Sequence, residues 1–385
     1  MRFPLFKDNW LNYNLTNLGK FNRGKSKHRP RDDEKLYGGK YPFIQTGDIK
    51  RANLYINAFE QTYSDFGLNQ SKLWKKGTLC ITIAANIAET AILDMDACFP
   101  DSVIGWESND LTTNIFIKYY FDFYKEKIKK LSVGGAQENL NLDKLGKLNF
   151  KIPTVEEQSK ISKFIALLDD RIETQIKIIE CKLSHMNYIS NVIFSSLKEC
   201  CPLNQFVKFG KAGGTPKSTI KQYYNGDIPF LSITDINNQG KYITEATKSI
   251  TQEGLKNSSA WIVPKNSLIL SMYASVGFPT INRIDLATSQ AMFAMVLNDE
   301  DDLDFLYYYL LYFQQNKLNK LLETGTQSNI NADTVRAIPI PIFTKQEKQF
   351  INKTLNSIYN NIEIEKDILY SLKKQKEYLL RNMFV

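Results

Sequence analysis

The amino-acid sequence predicts an α+β fold, in which two α/β domains are separated by two long antiparallel coiled-coil helices and related by a pseudo-twofold internal repeat. Three observations predict it. Motifs of the first half recur at a nearly constant offset in the second, glycine-punctuated strand patterns occupy both halves, and each half ends in an uninterrupted helical periodicity. We therefore expect four segments in the 385-residue chain: 1–153, 154–199, 200–343 and 344–385.

The internal repeat consists of short motifs that keep the same order in both halves. A proline, a phenylalanine and an aspartate recur with identical spacing: Pro42, Phe43 and Asp48 match Pro229, Phe230 and Asp235. A glycine-led loop recurs further along, again with its internal spacing kept: Gly135, Gln137 and Asn139 match Gly325, Gln327 and Asn329. A repeated module followed by a repeated spacer indicates a molecule that holds two similar ligands at a fixed distance.

Within each half, the strand and helix patterns predict a mixed module. Short β-branched or aromatic runs bounded by turn residues predict strands at 42–46, 78–83, 91–93, 101–106, 229–233 and 267–272, and an extended exit strand at 338–341. Aromatic residues at three- and four-residue spacings predict helices at 113–131 and 304–322. Asp143 and Asp333 are expected to lie where two later helices begin.

The segments 155–195 and 345–384 predict long helices, because apolar residues recur every three or four positions and no glycine or proline interrupts them. A helix of this length would measure roughly 60 Å at about 1.5 Å per residue. Each helix carries an apolar stripe that has to be covered. Since both have the same length and character, we expect them to pack against each other in antiparallel orientation, although the second helix could instead pack on a partner protein.

Composition and charge restrict the class of protein. The chain carries a net charge of +8, which favours an anionic partner. Its five cysteines include no CxxC pair, so neither a disulfide framework nor a metal site is predicted. No segment has the roughly 20 apolar residues of a membrane helix, and no secretory signal is visible. We expect a cytoplasmic protein that does not enter a membrane.

The most basic segment also contains the pattern of a nucleotide-binding phosphate loop. Residues 19–26 read GxxxxGKS, a spacing that in NTPases places backbone N–H groups and a helix N-terminus around phosphate. Here Pro30 follows closely and the next residues show no helical periodicity, so the required helix is not expected. Six Lys/Arg residues without any acid between Lys20 and Arg31 instead suit the phosphates of a DNA backbone.

No enzyme motif accompanies this segment. The sequence lacks a GxGxxG cofactor loop and an NPPY-like tetrapeptide, and Pro100-Asp101 is not followed by the carboxylate and lysine of a nuclease core. His28 and His185 are the only histidines, and neither lies in a setting expected for a hydrolase. We predict a chain that is not itself an enzyme, with a phosphate-loop NTPase using residues 19–26 as the alternative.

Two further stretches resemble a known family. Gly213-Gly214-Thr215-Pro216, followed by Tyr224-Asn225-Gly226-Asp227-Ile228-Pro229-Phe230 and Thr234-Asp235-Ile236, resembles the target-recognition domain of type I restriction–modification specificity subunits. The first half, with 23–30 and then 38–49, resembles another branch of these domains. The resemblance covers essentially the whole chain, including its duplication.

The resemblance implies a non-catalytic subunit whose two target-recognition domains each read one half of a split, asymmetric DNA site, while the two helices set the unread spacer. It implies double-stranded DNA, two methyltransferase subunits and restriction subunits as partners. S-adenosylmethionine, ATP and Mg²⁺ are then expected in the partners, with no cofactor bound by this chain. Because the first half lacks the Gly-Gly-Thr-Pro form, the two half-sites should differ. A coiled coil serving assembly alone is the remaining alternative.

The candidate DNA-contacting residues are cations, amides and hydroxyls in turns, because these groups contact phosphates and base edges. In the first half they are Arg23, Lys25, Ser26, Lys27, His28, Arg29, Arg31, Lys40, Gln137 and Asn139. In the second half they are Lys211, Thr215, Lys217, Ser218, Tyr223, Tyr224, Ser275, Gln327 and Asn329.

Overall fold

The computed structural model describes residues 2–132, 140, 142–196, 198–273, 275–318 and 329–384. The chain divides into two compact units. Unit 1 comprises residues 1–177 together with 366–385, and unit 2 comprises residues 178–365. Unit 1 is therefore built from two separate stretches of sequence, and unit 2 from one.

Unit 1 is organised around a five-stranded sheet with strand order β2-β8-β6-β7-β4. The elements that begin in this unit are β1 (Leu11–Asn14), α1 (Leu15–Leu18), β2 (Gly19–Arg23), β3 (Tyr37–Phe43), α2 (Thr46–Arg51), β4 (Tyr55–Ile56), β5 (Gln61–Tyr63), α3 (Asp65–Asn69), β6 (Leu79–Thr82), β7 (Thr90–Leu93), β8 (Val103–Ser108), α4 (Asn114–Ser132), α5 (Leu142–Gly146), β9 (Asn149–Ile152) and α6 (Val155–Phe194). Helix α6 continues into unit 2.

Unit 2 contains a second five-stranded sheet, with the order β11-β19-β16-β17-β13. Its elements are β10 (Cys200–Pro202), β11 (Val207–Ala212), β12 (Tyr224–Leu231), α7 (Ile233–Gln239), β13 (Tyr242–Ile243), β14 (Lys248–Ile250), α8 (Gln252–Lys256), β15 (Ile262–Val263), β16 (Leu268–Ser271), β17 (Pro279–Asn282), β18 (Leu286–Thr288), β19 (Met292–Leu297), α9 (Leu303–Phe313), α10 (Ala332–Arg336), β20 (Pro339–Pro341) and α11 (Lys345–Met383). Helix α11 continues into unit 1.

The two sheets are the same arrangement built twice. Strands β2, β8, β6, β7 and β4 correspond in sequence position and in sheet order to β11, β19, β16, β17 and β13. The separate two-stranded sheet β1–β9 likewise corresponds to β10–β20, and both pairs are antiparallel. The predicted fold class, two α/β domains with long helices and an internal repeat, is confirmed.

The core of unit 1 joins its sheet to three helices. Trp106 on β8, Phe116 and Tyr119 on α4, and Ile165 on α6 are fully buried in one cluster. Phe384, which follows α11, enters the same cluster, and its ring lies 5.3 Å from that of Phe116. Burying an aromatic side chain of this size contributes about 2 kcal/mol. The end of α11 is therefore part of this core rather than an appendage.

The long helices have the predicted lengths, with 40 residues in α6 and 39 in α11. In unit 2, Lys182 pairs with Glu365 and Lys198 pairs with Glu347, each at 2.7 Å. The two paired segments are therefore antiparallel in this unit. In unit 1, Lys376 pairs with Asp169 at 2.6 Å. In both units, ion pairs therefore connect α11 to α6 or to the residues just after α6.

The predicted apolar seam of α6 is only partly buried. Ile161 and Ile165 in unit 1 and Met186 in unit 2 are buried, whereas Ile176 and Leu183 remain more than a third exposed. An apolar residue on a long helix is buried only where its turn of the helix faces a neighbour. The periodicity therefore identified the stripe but did not give its coverage.

The structure corrects some of the predicted boundaries. The strand predicted at 42–46 ends at Phe43, and α2 begins at Thr46, because the Asp48 carboxylate accepts a 2.8 Å hydrogen bond from the Gln45 N–H and caps the helix. Within the predicted helix 304–322, the α-helix ends at Phe313 and a π-helical turn follows at Gln314–Leu318, whereas residues 319–322 lie outside the described residues. Asp143 and Asp333 lie in the first turns of α5 and α10, as predicted, and Asn331 caps α10, since its side chain accepts from the Thr334 N–H at 2.8 Å.

Within the described residues, no helix is long and apolar enough to cross a bilayer. The cysteines at 80, 98, 181, 200 and 201 are all free.

Candidate nucleic-acid interface

In unit 1, two loops lie at one edge of the five-stranded sheet, the edge formed by the ends of β2 and β6 and the start of β8. Arg23 at the end of β2 is paired with Ile104, and Thr82 at the end of β6 is paired with Val103 at the start of β8. The chain that leaves β2 and the chain that leaves β6 therefore emerge at the same edge. We call residues 24–31 the basic segment and residues 83–89 the β6–β7 turn.

Three consecutive residues before and at the start of β8 hold these two loops together. The Gly24 N–H donates to the Val103 carbonyl at 2.8 Å, and the Ile83 N–H donates to the Ser102 carbonyl at 3.0 Å. The Arg31 guanidinium forms an ion pair with Asp101 at 2.9 Å. The basic segment and the β6–β7 turn are thus fixed to one support.

The structure gives the basic segment an anchored main chain and exposed charges. Lys25, Lys27, Arg29 and Arg31 are exposed, as is Arg23 on the preceding strand. The Lys25 carbonyl accepts from the Ser71 hydroxyl at 2.8 Å, the Lys27 N–H donates to the Gln70 carbonyl at 3.1 Å, and the Arg31 carbonyl accepts from the Tyr37 hydroxyl at 2.6 Å. Hydrogen bonds therefore hold the main chain of the basic segment at three points while its cations stay exposed.

Ser26 and His28 are half-buried and serve the shape of the segment. The His28 Nε2 lies 2.8 Å from an Asp33 carboxylate oxygen, and its ring packs edge-on against Phe66. A hydrogen bond from the Lys35 N–H, followed by the one from His28, lowers the pKa of Asp33. Lys40 is close by, with its ammonium 3.9 Å from Asp65, the neighbour of Phe66 in α3.

Among the described residues, Lys25 and Lys27 form no ion pair, whereas Arg31 is paired with Asp101. Unpaired exposed ammonium groups attract phosphates at long range and release counterions on contact. Of the cations in this segment, Lys25 and Lys27 are therefore best placed to meet a DNA backbone, since the Arg29 guanidinium donates to the Ser26 and His28 carbonyls.

Unit 2 has the same edge with different side chains. The Gly213 N–H donates to the Met292 carbonyl at 3.0 Å, and the Met272 N–H donates to the Ala291 carbonyl at 2.7 Å. The Thr215 hydroxyl bonds to Gln290, the residue at the place that Asp101 has in unit 1. Residues 290–292 therefore hold the glycine loop, 213–223, and the β16–β17 turn, 272–278, whose residue 274 lies outside the described residues.

A glycine begins the first loop in both units because there is no space for a side chain. A Cβ on Gly24 would collide with the carbonyl oxygens of Phe99 and Pro100. A Cβ on Gly213 would collide with those of Thr288 and Ser289. Backbone cannot move aside as a flexible side chain can, so these glycines fix where each loop leaves its sheet.

The candidate residues around the glycine loop of unit 2 divide by exposure. Lys211, Thr215, Lys217 and Ser218 are exposed, the first on β11 and the others in the loop. Tyr223 and Tyr224 are half-buried. The Tyr224 hydroxyl donates to the Pro216 carbonyl at 2.5 Å, so this tyrosine supports the loop.

The turns that follow β6 and β16 have an unusual backbone. Asn86 and Ala88 have φ of 59° and 64°, and at the equivalent positions Ser275 and Gly277 have φ of 52° and 78°. A residue with a side chain loses on the order of 1 kcal/mol in this left-handed region, and such positions cluster at functional sites. Sequence reasoning selected Ser275 but missed Asn86, which aligning the two repeats would have identified because Asn86 takes the place of Ser275.

The remaining candidates belong to the two glycine-led loops of the repeat, 135–139 and 325–329, which are distinct from the glycine loop 213–223. Gln137, Asn139 and Gln327 fall outside the described residues, and Asn329 is exposed. Leu140, one residue after Asn139, donates its N–H to the Ile83 carbonyl at 3.1 Å. Ile330, one residue after Asn329, donates to the Met272 carbonyl at 3.2 Å. The chain therefore leaves both glycine-led loops beside the two turns.

The phosphate-loop alternative has no support. Residues 19–23 of the GxxxxGKS pattern form strand β2, and the first helical element after Lys25 is a short 3₁₀ turn at Glu34–Leu36. A nucleotide-binding loop needs a helix that starts at its lysine. Within the described ranges, no cluster of three or more His, Cys, Asp or Glu side chains is arranged to hold a metal ion.

The family model for the type I restriction modification DNA specificity domain matches this chain twice, at residues 7–180 and 195–374. The chain belongs to this family. The two matched specificity domains coincide with the two halves of the internal repeat.

Individual relatives agree with the specificity-domain assignment. The chain is 29% identical over 175 residues to the type I restriction enzyme MjaIX specificity subunit of Methanocaldococcus jannaschii, an alignment covering 45% of this chain and 40% of that protein. It is 23% identical over 322 residues to the HindI specificity subunit of Haemophilus influenzae, covering 80% and 68%. The chain thus spans less than half of the first relative and about two thirds of the second.

Two solved structures share the fold. The S subunit of a type I restriction-modification system from M. genitalium superposes with a TM-score of 0.61 at 16% identity, covering 98% of this chain and 96% of that one. A chain from a study of type I R-M complex assembly superposes with a TM-score of 0.59 at 15% identity, covering 98% of both.

Proposed function

We propose that this specificity subunit reads a split, asymmetric DNA site, with one specificity domain on each half-site, and that it is itself non-catalytic. The observation that carries the proposal is the edge built in both units, where loops with exposed cations and polar side chains are held on matching supports. Cations fix a protein on the DNA backbone and polar groups distinguish bases. Because the loops of the two units differ in sequence, the half-sites should differ too.

The proposal includes the partners expected for such a subunit. It places two methyltransferase subunits and restriction subunits on this chain in a cytoplasmic complex, with S-adenosylmethionine, ATP and Mg²⁺ bound by those partners. Support comes from family membership and from strand β2, which occupies most of the GxxxxGKS pattern that a nucleotide site on this chain would use.

Selection from a library of randomised DNA duplexes tests the proposal. The full chain should enrich two separate sequence blocks with a fixed unread gap, and binding should weaken steeply with salt. Replacing residues 1–153 by the corresponding domain of another specificity subunit should change one block and leave the other. A single continuous block, or two blocks that both survive the replacement, would contradict the proposal.

A further inference from the structure

We propose that the β6–β7 turn and the β16–β17 turn are the main base-reading segments of the two units, with Asn86 carrying the base contact in unit 1 and Tyr273 and Ser275 carrying it in unit 2. This inference rests on the proposed function, since it divides one DNA contact between named loops. The basic segment then holds the backbone, and the turns select the sequence.

The first support is the chemistry of the exposed side chains. In unit 1 the basic segment presents ammonium and guanidinium groups, which hold phosphates whatever the sequence. The β6–β7 turn has no cation, and Asn86 is exposed on it. An asparagine amide both donates and accepts and can bond two groups of an adenine at once. Among the described residues of the unit 2 turn, the exposed side chains are the phenol of Tyr273 and the hydroxyl of Ser275.

The second support is preorganisation. The Thr82 hydroxyl accepts from the Glu89 N–H at 2.9 Å and donates to the Asn86 carbonyl, which closes the turn from inside. The Ser271 hydroxyl does the same in unit 2, accepting from the Phe278 N–H at 3.1 Å and donating to the Ser275 carbonyl at 2.5 Å. A loop already held in one shape loses less entropy on binding, so its contacts discriminate more sharply.

The third support is that both turns have left-handed residues at the same two positions, while the side chains at these positions differ. Left-handed residues occur at positions 86 and 88 and again at 275 and 277. Asparagine and alanine occupy the first pair, whereas serine and glycine occupy the second. A common frame carrying different donors and acceptors is what two readers of unlike half-sites require.

The test uses the full chain, the randomised duplex library and two glycine variants. Glycine accepts a left-handed backbone, so Asn86→Gly removes the amide without straining the turn. We expect Asn86→Gly to reduce the preference at one base position of one block by about tenfold and to leave the other block and the salt dependence unchanged. Ser275→Gly should affect the other block only. Asn57→Gly, at an exposed asparagine outside the turn, is the matched control.

An Asn86→Asp variant keeps the size of the side chain but can only accept hydrogen bonds from its carboxylate. It should move the preference at the same position from adenine towards cytosine, whose amino group donates. This change of sequence is a result that a merely structural role for the turn does not produce, and it remains readable if the glycine variants lose stability.

The outcomes separate this inference from the function on which it rests. If the unmodified chain enriches no sequence, the proposed function fails and the inference fails with it. If the unmodified chain enriches two blocks but the variants keep both, or weaken binding equally for all sequences, the turns do not read bases and only this inference is overturned.

Discussion

Lys25 and Lys27 are two exposed lysines on an anchored segment, without ion pairs in the described part of the chain. Replacing both by alanine should weaken binding to every DNA sequence and reduce the slope of log affinity against log salt by about 2, since roughly one counterion is released for each phosphate contact. Titrations at several salt concentrations measure this. The matched control, Lys353→Ala with Lys373→Ala on α11, should leave the slope as it is. An unchanged slope in the Lys25 and Lys27 variant would show that the basic segment does not contact the DNA.

Lys241 shows a different use of a lysine, inside unit 2. Its ammonium is fully buried, 2.8 Å from an Asp304 carboxylate oxygen and 2.6 Å from the side-chain amide oxygen of Asn356 on α11. Burial lowers the pKa of Lys241 to about 8, although Asp304 opposes the shift. The residue therefore connects the sheet of unit 2 to α9 and α11 through a polar network.

Replacing Lys241 by methionine should lower the free energy of unfolding by about 3 kcal/mol, because it leaves the Asp304 carboxylate largely buried without its cation. Denaturant unfolding of the full chain, followed by a probe in unit 2, measures the change. Lys248→Met, at an exposed lysine of the same unit, should change stability little. Equal stability of the two variants would show that the Lys241 network contributes nothing.

Residue types could be selected from the sequence only where composition was distinctive. The run of cations from Lys20 to Arg31 identified the basic segment, but Asn86 gave no such signal because a single asparagine beside alanine is common in turns. What makes Asn86 notable is its backbone conformation and its place at the sheet edge, and both depend on contacts with residues far away in sequence.

At the scale of elements, the start of α11 offers a pH test. The Glu347 carboxylate accepts from the Lys198 ammonium and from the Thr344 N–H, each at 2.7 Å, and these bonds lower its pKa to about 2 from 4.5. A lowered folded-state pKa adds stability above the unfolded pKa, and this is lost as the pH falls from about 4.5 to about 2. Glu347 is thus expected to stabilise this helix end at neutral pH.

Glu347→Gln should therefore lower Tm at pH 7. The difference in Tm between this variant and the unmodified chain should become smaller as the pH approaches 2. Thermal unfolding between pH 7 and pH 2 follows this. Glu253→Gln, at an exposed glutamate whose carboxylate makes no hydrogen bond within the described residues, is the control. A gap between Glu347→Gln and the unmodified chain that stays constant with pH would exclude this carboxylate as the cause.

Long elements were predictable and short ones were not. The 40-residue helix α6 repeats its apolar spacing over many turns, so no single residue decides it. Helix α2 has only six residues, and its start depends on one capping carboxylate, Asp48, which the strand-like run before it concealed. Local hydrogen bonding outweighs residue preference when an element is this short.

At the scale of the whole molecule, the duplication was predictable because matched motifs keep their order and spacing. The discontinuity of unit 1 was not, because the apolar spacing of residues 366–384 shows that a stripe exists and not what it packs against. Both long helices pass from one unit to the other, α6 after residue 177 and α11 after residue 365. These two points are suitable for changing helix length without altering either core.

The resemblance to type I specificity subunits implies that the long helices set the unread gap, and this predicts the effect of a matched insertion. Seven helical residues added after residue 177 in α6 and after residue 365 in α11 should extend each helix by about 10 Å and lengthen the preferred gap by roughly three base pairs. Selection from the randomised library gives the new gap. The same insertion in α6 alone is the control and should impair folding; a gap that stays constant in the double insertion would refute the proposal.

The burial of Phe384 beside Phe116 also bears on how the chain folds as the ribosome makes it. Unit 2 is one continuous stretch, so its core can close as soon as residue 365 has emerged. The first unit to be synthesised lacks part of its core until residues 379–384 are available. The earlier-made unit should therefore consolidate last, reversing the usual vectorial order, and a truncated chain that ends at residue 365 should be cleaved by protease in unit 1 and protected in unit 2.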